Sequence, residues 1–210
     1  MRRMLIVNGA LRGATGNTAR VLASARRTFP ADLEARELVL ADYTGTVDEV
    51  EQELREADAL LFATGVYWGS WGSPMQRFLE VMTWLEGTPT LVGKPTGAVV
   101  TMDSVGGQDV GQRLLGVLAT LGCLIPPMPM VIVSRLGTAV GGTPGNEDVW
   151  QIEDIEHLVE NLRIASSSPR MPWRAWPFER TARPTGRYPA AGSIDLGLPA
   201  FGTRPAPETP

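Results

Sequence analysis

MLIVNGALRGATGNTARVLASARR, Met4 to Arg27, changes its hydrophobic period once, and that change decides how the chain is read. Met4–Val7 is a continuous apolar run, the pattern of a strand buried on both faces. Asn8–Thr18 is rich in glycine and small polar residues. From Asn17 to Arg27 the apolar residues recur at helical spacing, with Val21, Leu22 and Ala25 on one face. Arg26 and Arg27 close the segment, where cations suit the helix dipole.

The alternation continues outward from this unit. Glu34–Leu40 predicts a second strand. Thr46 is placed to cap a helix through Arg55, with Glu49 three residues on completing a capping box. Ala59–Ala63 predicts a third buried strand, followed by a loop of Gly, Tyr, Trp and Ser from Thr64 to Ser73. Pro74 opens a helix whose face carries Met75, Phe78, Leu79 and Met82. Lys94-Pro95 leads into a fourth strand, Gly97–Met102, then a loop Asp103–Gly107 and a helix Gln108–Leu121 stopped by Gly122. Met130–Val133 predicts a fifth strand, and Trp150–Ala165 a last helix. Strands separated by helices require right-handed crossovers, hence a parallel sheet with helices on both faces. Ligands of such sheets sit at the carboxyl ends of the strands, the edge shared by the glycine-rich loops after strands one, three and four.

Composition narrows the function. The chain has 210 residues, 43% hydrophobic and 20% charged, which suits one domain with an appendage. A lone Cys123 excludes an internal disulfide or a CxxC pair, and a lone His157 excludes a His-rich metal site within one chain. No apolar run approaches the roughly 20 residues of a membrane-spanning helix, and no secretory apolar region follows Arg2 and Arg3. A cytoplasmic setting without a membrane is expected. Ser167–Pro210 holds six Arg and three acidic residues; its +3 leaves −7 of the overall −4 on the body. An acidic body argues against nucleic acid as a partner.

The first loop joins a strand to a helix N-terminus, a ready anion site. Arg12 adds a bidentate cation, and Thr15, Asn17 and Thr18 add side-chain donors, so a terminal phosphate fits there. The P-loop and GxGxxG patterns are both absent. Asp42, at the end of the second strand region, keeps a dinucleotide reading open, and spacing alone also admits glycines that merely build the turn. Ser70 and Ser73 have no His–acid partner for hydrolase chemistry. Phe78, Met82 and Trp84 read as core or subunit contact, and Cys123 as an inert buried thiol.

NGALRGATGNTA resembles the phosphate loop of the NAD(P)H-dependent FMN reductase family, roughly GSxRxxSNT. Gly9, Arg12, Asn17 and Thr18 match; Ala10 and Gly16 stand where the family has serine. ADALLFATGVYWGSWGSPMQRFLE resembles the family's third strand and TPVYWGS flavin loop, with Gly65 in place of proline. The GKP strand at Lys94 and the glycine turn after it complete the likeness, which spans Met4 to Val133. The resemblance implies a flavodoxin-like three-layer sandwich, a five-stranded parallel sheet with helices on both faces, over residues 1–166. It implies FMN as cofactor and NADPH or NADH as co-substrate. The 5′-phosphate would lie on Arg12, Thr15, Asn17 and Thr18, and the ring system along Gly65, Val66, Tyr67, Trp68 and Gly69. Ser104, Gly106 and Gly107 would line its other side. No catalytic side chain is required, because the flavin carries the chemistry. A small-molecule acceptor (flavin, quinone, azo or nitro compound, or metal ion) and a homodimer or homotetramer are expected. A non-enzymatic FMN electron carrier and a flavin-less nucleotide-binding sensor are the alternatives.

Residues 167–210 have no counterpart in that resemblance. They hold nine of the 17 prolines, which predicts an extended segment. Trp173, Trp176, Phe178 and Tyr188 predict that Pro172–Tyr188 docks on the body, toward a neighbouring subunit and a flavin edge.

Overall fold

Apolar runs of Val, Ile, Leu and Ala build the inner strands of one sheet buried between two helical layers, while an edge strand, Leu33–Val39, alternates with charged residues. The structure is a computed structural model and describes residues 1–137, 150–169, 171–176 and 183–188. Strands β1 (Arg2–Asn8), β2 (Leu33–Val39), β3 (Ala59–Gly65), β4 (Thr96–Met102) and β5 (Met130–Ser134) lie in the order β2-β1-β3-β4-β5. All four pairings are parallel. This is the flavodoxin-like order, with its switch point between β1 and β3. The dinucleotide-binding order 3-2-1-4-5-6 is a different arrangement, so that alternative falls on topology.

Helices α1 (Asn17–Ala25) and α5 (Ile155–Ser167) cover one face; α2 (Val47–Glu56), α3 (Ser73–Val81) and α4 (Gly107–Thr120) cover the other. Val21, Leu22, Leu158 and Leu162 pack on the first face with Met4, Ile6 and Val99. Leu54, Phe78, Leu114 and Leu118 pack on the second with Leu5, Leu60 and Phe62. The predicted capping box forms: Glu49 N donates to Thr46 Oγ1 at 3.2 Å, and Thr46 N to Glu49 Oε2 at 2.7 Å. Gly122 ends the α4 region at φ +109°.

Most element ends shift by one or two residues from the sequence reading, and three of the differences have a local cause. Arg26 and Arg27 leave α1 for a 3-10 turn, and Leu40 leaves β2 for another, Leu40–Asp42. The last helix starts at Ile155 rather than Trp150, because Gln151 and Asp154 cap each other around a 3-10 turn, Ile152–Asp154. Phe78 and Met82 are buried in the core of their own chain, so they form no subunit face.

Lys94, the only lysine, is 1% exposed. Its ammonium donates to the carbonyls of Leu54 and Arg55 in the last turn of α2. A cation there satisfies orphan carbonyls and meets the negative end of the helix.

The appendage docks, in part as expected. Tyr188 N donates to Gly45 O at 2.8 Å, and Val47 N to Gly186 O at 3.0 Å. The Tyr188 ring is 3% exposed and meets Tyr43 edge-on, centroids 5.7 Å apart. Arg183 pairs with Asp48 and with Glu51 Oε2 (2.6 Å) and stacks over Trp84. Trp173 lies beside Gly93, just before β4. Trp173 and Trp176 stay 54% and 71% exposed, so Tyr188 rather than either tryptophan anchors the segment. The Trp173 end sits at the amino edge of the sheet, beside Gly93 and away from the cleft at the carboxyl edge of its own chain. Phe178 lies outside the described residues.

Candidate functional site

The loops after β1, β3, β4 and β5 enclose a cleft of about 750 Å³ at the carboxyl edge. Asn8, at the end of β1, starts the first loop: its Oδ1 accepts from Ala10 N (3.1 Å), while its Nδ2 donates to Glu37 Oε1 (2.9 Å). The chain then makes a 3-10 turn, Gly13–Thr15, and enters α1 with Gly16 as N-cap. Glycine has no side chain to cap with, so the first-turn amides of α1 receive no side-chain bond. No acidic residue occupies that turn either. A Cβ on Gly16 would lie 2.9 Å from Arg12 Cβ. In this loop Gly16 packs closely against Arg12, and its lack of a side chain leaves the helix end open to an anion.

The cleft brings together Arg12, Thr15, Asn17, Thr18, Gly65, Val66 and Tyr67 of the sequence-predicted residues. Two hydroxyls are already engaged. Thr15 Oγ1 donates to Arg12 O at 3.0 Å, and Thr18 Oγ1 lies 2.7 Å from Thr101 Oγ1, bonding α1 to β4. The Thr15 proton serves the loop, whereas either hydroxyl can donate in the Thr18–Thr101 pair, so of the sequence-predicted residues Arg12, Asn17 and the backbone are the donors left free for a phosphate whichever way that pair is oriented.

Gly65 also has a local reason. A Cβ there would meet the Tyr67 ring at 3.1 Å. The phenol lies back over Gly65, and its Oη accepts from Leu11 N at 3.2 Å. Tyr67 and Ser70 then close a two-residue turn by bonds of 2.8 and 3.0 Å. Its tip is Trp68 at φ +50° and Gly69 at φ +74°, with the Trp68 indole fully exposed. A bulky residue in the left-handed region is strained, a feature that concentrates at functional sites. Arg113 of α4 donates to Gly69 O and stacks on Trp71, holding the turn down.

Trp68, Gly69, Ser104, Gly106 and Gly107 do not line the cleft itself. Ser104 and Gly106 are exposed on the loop after β4. Gly107 is buried, and a Cβ on it would strike Ile132 Cγ2 at 2.5 Å, so its small size serves the packing of α4 on the sheet.

Sequence reasoning missed Arg20, Asp103, Arg135 and the apolar wall of Val21, Met102, Val133 and Ile152. Arg135 Nε donates to Asp103 Oδ1, which holds the Asp103 carboxyl below its usual range. The signal was available: Arg135 follows β5 at the same edge as the other loops. Neither histidine nor cysteine lines the cleft, and His157 is exposed on α5. Among the described residues no cluster of three metal-ligating side chains occurs. The donor set suits a phosphate ester: three guanidiniums, an open helix N-terminus, and an apolar wall beside them.

Fold and cleft together define a flavodoxin-like α/β protein with a cleft at the carboxyl edge of its sheet, opening on the start of α1. The sequence pattern of the NADPH-dependent FMN reductase family matches residues 2–137, and the chain belongs to that family. It is an NAD(P)H-dependent flavin oxidoreductase that uses FMN. Solved structures agree on the fold. The apo form of the NADH:FMN oxidoreductase EMOB superposes with a TM-score of 0.64 at 16% identity, over 80% of this chain and 92% of that one. FerB, a flavoenzyme NAD(P)H:(acceptor) oxidoreductase from Paracoccus denitrificans, gives 0.54 at 17%, over 79% and 96%. A flavodoxin from the domain Archaea gives 0.55 at 13%, over 78% and 98%. No curated protein sequence matches the chain.

Proposed function

We propose that this cleft holds the FMN phosphate on Arg12, Asn17 and the first-turn amides of α1, and the ring system along Gly65–Gly69. The observation that carries this reading is the uncapped start of α1, opening beside Arg12 into a cleft with an apolar wall. Thr15 and Thr18 shape the loop, and Ser104 and Gly106 border the ring from the loop after β4. Bound FMN supplies hydride acceptance and electron release. The protein's own part is to bind and orient. Among the described residues the one carboxylate lining the cleft, Asp103, is paired with Arg135, which suits a reaction that needs no general base from the protein.

The second acceptor is a small molecule: a free flavin, a quinone, an azo or nitro compound, or a metal ion. The working form is a homodimer or homotetramer. Leu11, Trp68 and Val105 are exposed apolar side chains on three loops at the carboxyl edge, and a second copy there would cover them. With no helix long and apolar enough to cross a membrane among the described residues, a cytoplasmic role fits.

The test is direct. Protein reconstituted with FMN should hold one FMN per chain and be reduced anaerobically by NADPH or NADH, with a screen identifying the acceptor. Recovery of FAD, or of no flavin after FMN is added, would overturn the reading.

A further inference from the structure

The carboxyl edge carries two helix starts treated in opposite ways. The α1 start is open, as described. The α2 start is closed twice: Thr46 Oγ1 accepts from Glu49 N, and Gly186 O accepts from Val47 N at 3.0 Å. The second bond comes from the appendage, which pairs antiparallel with the chain at Thr46 and Arg187.

The closed start and the open one are neighbours through a short path. Tyr188 N–H bonds Gly45 O at 2.8 Å, and the Tyr188 ring packs edge-on against Tyr43. Tyr43 follows Asp42, the last residue of the turn after β2. The Asp42 Oδ2 accepts from Ala14 N at 3.1 Å and fills the space where a Cβ on Gly13 would stand. Gly13 and Ala14 belong to the 3-10 turn that delivers Gly16 and α1 to the cleft.

We infer that the appendage is a strap that sets the shape of the phosphate-binding loop, with Tyr188 as a positioning residue acting through Tyr43 and Asp42 on Ala14. This rests on the FMN reading of the cleft. The physical basis is a contiguous run of packed rings and hydrogen bonds in which each member restricts the next. Tyr188 is nearly fully buried, belongs to the core cluster on this face of the sheet and packs on Tyr43, so removing its ring frees the Tyr43–Thr46 segment on one side. Asp42 then loses the fixed backbone that aims its carboxylate at Ala14. The loop samples more conformations, and an anion pays more to order it.

The experiment compares Tyr188→Ala, Asp42→Ala and the double variant in the full chain, reading FMN affinity and amide exchange at Ala14. Tyr188→Leu, which keeps the pocket filled while losing the ring contact, serves if the alanine variant does not fold. The inference expects Tyr188 variants to bind FMN about three- to tenfold more weakly and to exchange Ala14 faster. It expects no further loss when the Tyr188 substitution is added to Asp42→Ala. Unchanged FMN affinity and Ala14 exchange alongside a lower Tm would overturn it, since a merely structural role gives that result. So would fully additive losses in the double variant. Failure of the wild-type chain to bind FMN would refute the cleft reading, and the exchange at Ala14 would still decide the strap.

Discussion

The Tyr67 hydroxyl accepts a hydrogen bond from the Leu11 amide at 3.2 Å, so the loop after β3 is pinned to the loop after β1. One phenol thereby joins the two halves of the proposed FMN site. Tyr67→Phe keeps the ring over Gly65 and removes only this bond, a net loss of about 0.5–1.5 kcal/mol. Tm should fall by roughly 2–4 °C per kcal/mol lost, and FMN, which binds across the loosened loops, should bind up to about tenfold more weakly. Fluorescence titration of the apoprotein measures this.

Arg12 stands beside the uncapped start of α1. Its charge-assisted pair with a phosphate is worth roughly 1.5–3 kcal/mol, so Arg12→Ala should weaken FMN by about one to two decades. Riboflavin, which lacks the phosphate, should bind wild type and variant alike. Equal FMN affinity in the two proteins would place the phosphate elsewhere.

Tyr188 carries a buried hydroxyl with no hydrogen-bond partner among the described residues. Leaving such a group dry costs about 1–3 kcal/mol, while its ring contributes by filling the core. Tyr188→Phe should therefore keep the strap docked and raise unfolding free energy by about 1 kcal/mol in urea. A destabilised phenylalanine variant would show that the hydroxyl has a partner.

Burial pushes the Cys123 thiol up from 9.0 to about 11. The fold accommodates the neutral thiol, so this contribution is complete below about pH 9 and is lost as the pH rises through about 11. Across that window it amounts to roughly 3 kcal/mol. Tyr188, also raised by burial, acts in the same direction. Cys123→Ala should flatten part of the alkaline loss of stability in denaturant titrations at pH 8 to 11. In the native protein Cys123 should resist thiol reagents at pH 8 and react on unfolding.

What could be read in the sequence was whatever is local. Ala59–Ala63 declares a strand because every side chain along it is buried, and Thr46 with Glu49 declares a cap because both partners lie three residues apart. The first loop was legible as a strand-to-helix connection for the same reason, since strand, glycines and helix are consecutive. Its finer roles were not. The Thr18 hydroxyl turns to Thr101, which only the β1-β3-β4 strand order brings near. Arg135 meets Asp103 because β5 lies beside β4, and Tyr188 reaches Gly45 across most of the chain. Phe78 and Met82 could be read only as core or subunit contact, and they are core, because helical periodicity reports that a stripe is covered without saying by what.

Lys94 has a practical corollary. The sequence contains no other lysine, and this one has its ammonium sealed against the end of α2. The native surface therefore presents no side-chain amine at all to acylating dyes, amine crosslinkers or lysine-modifying enzymes. A lysine introduced anywhere on that surface would be the sole side-chain handle of its kind, so a probe or a tether could be placed at one chosen residue without first removing others.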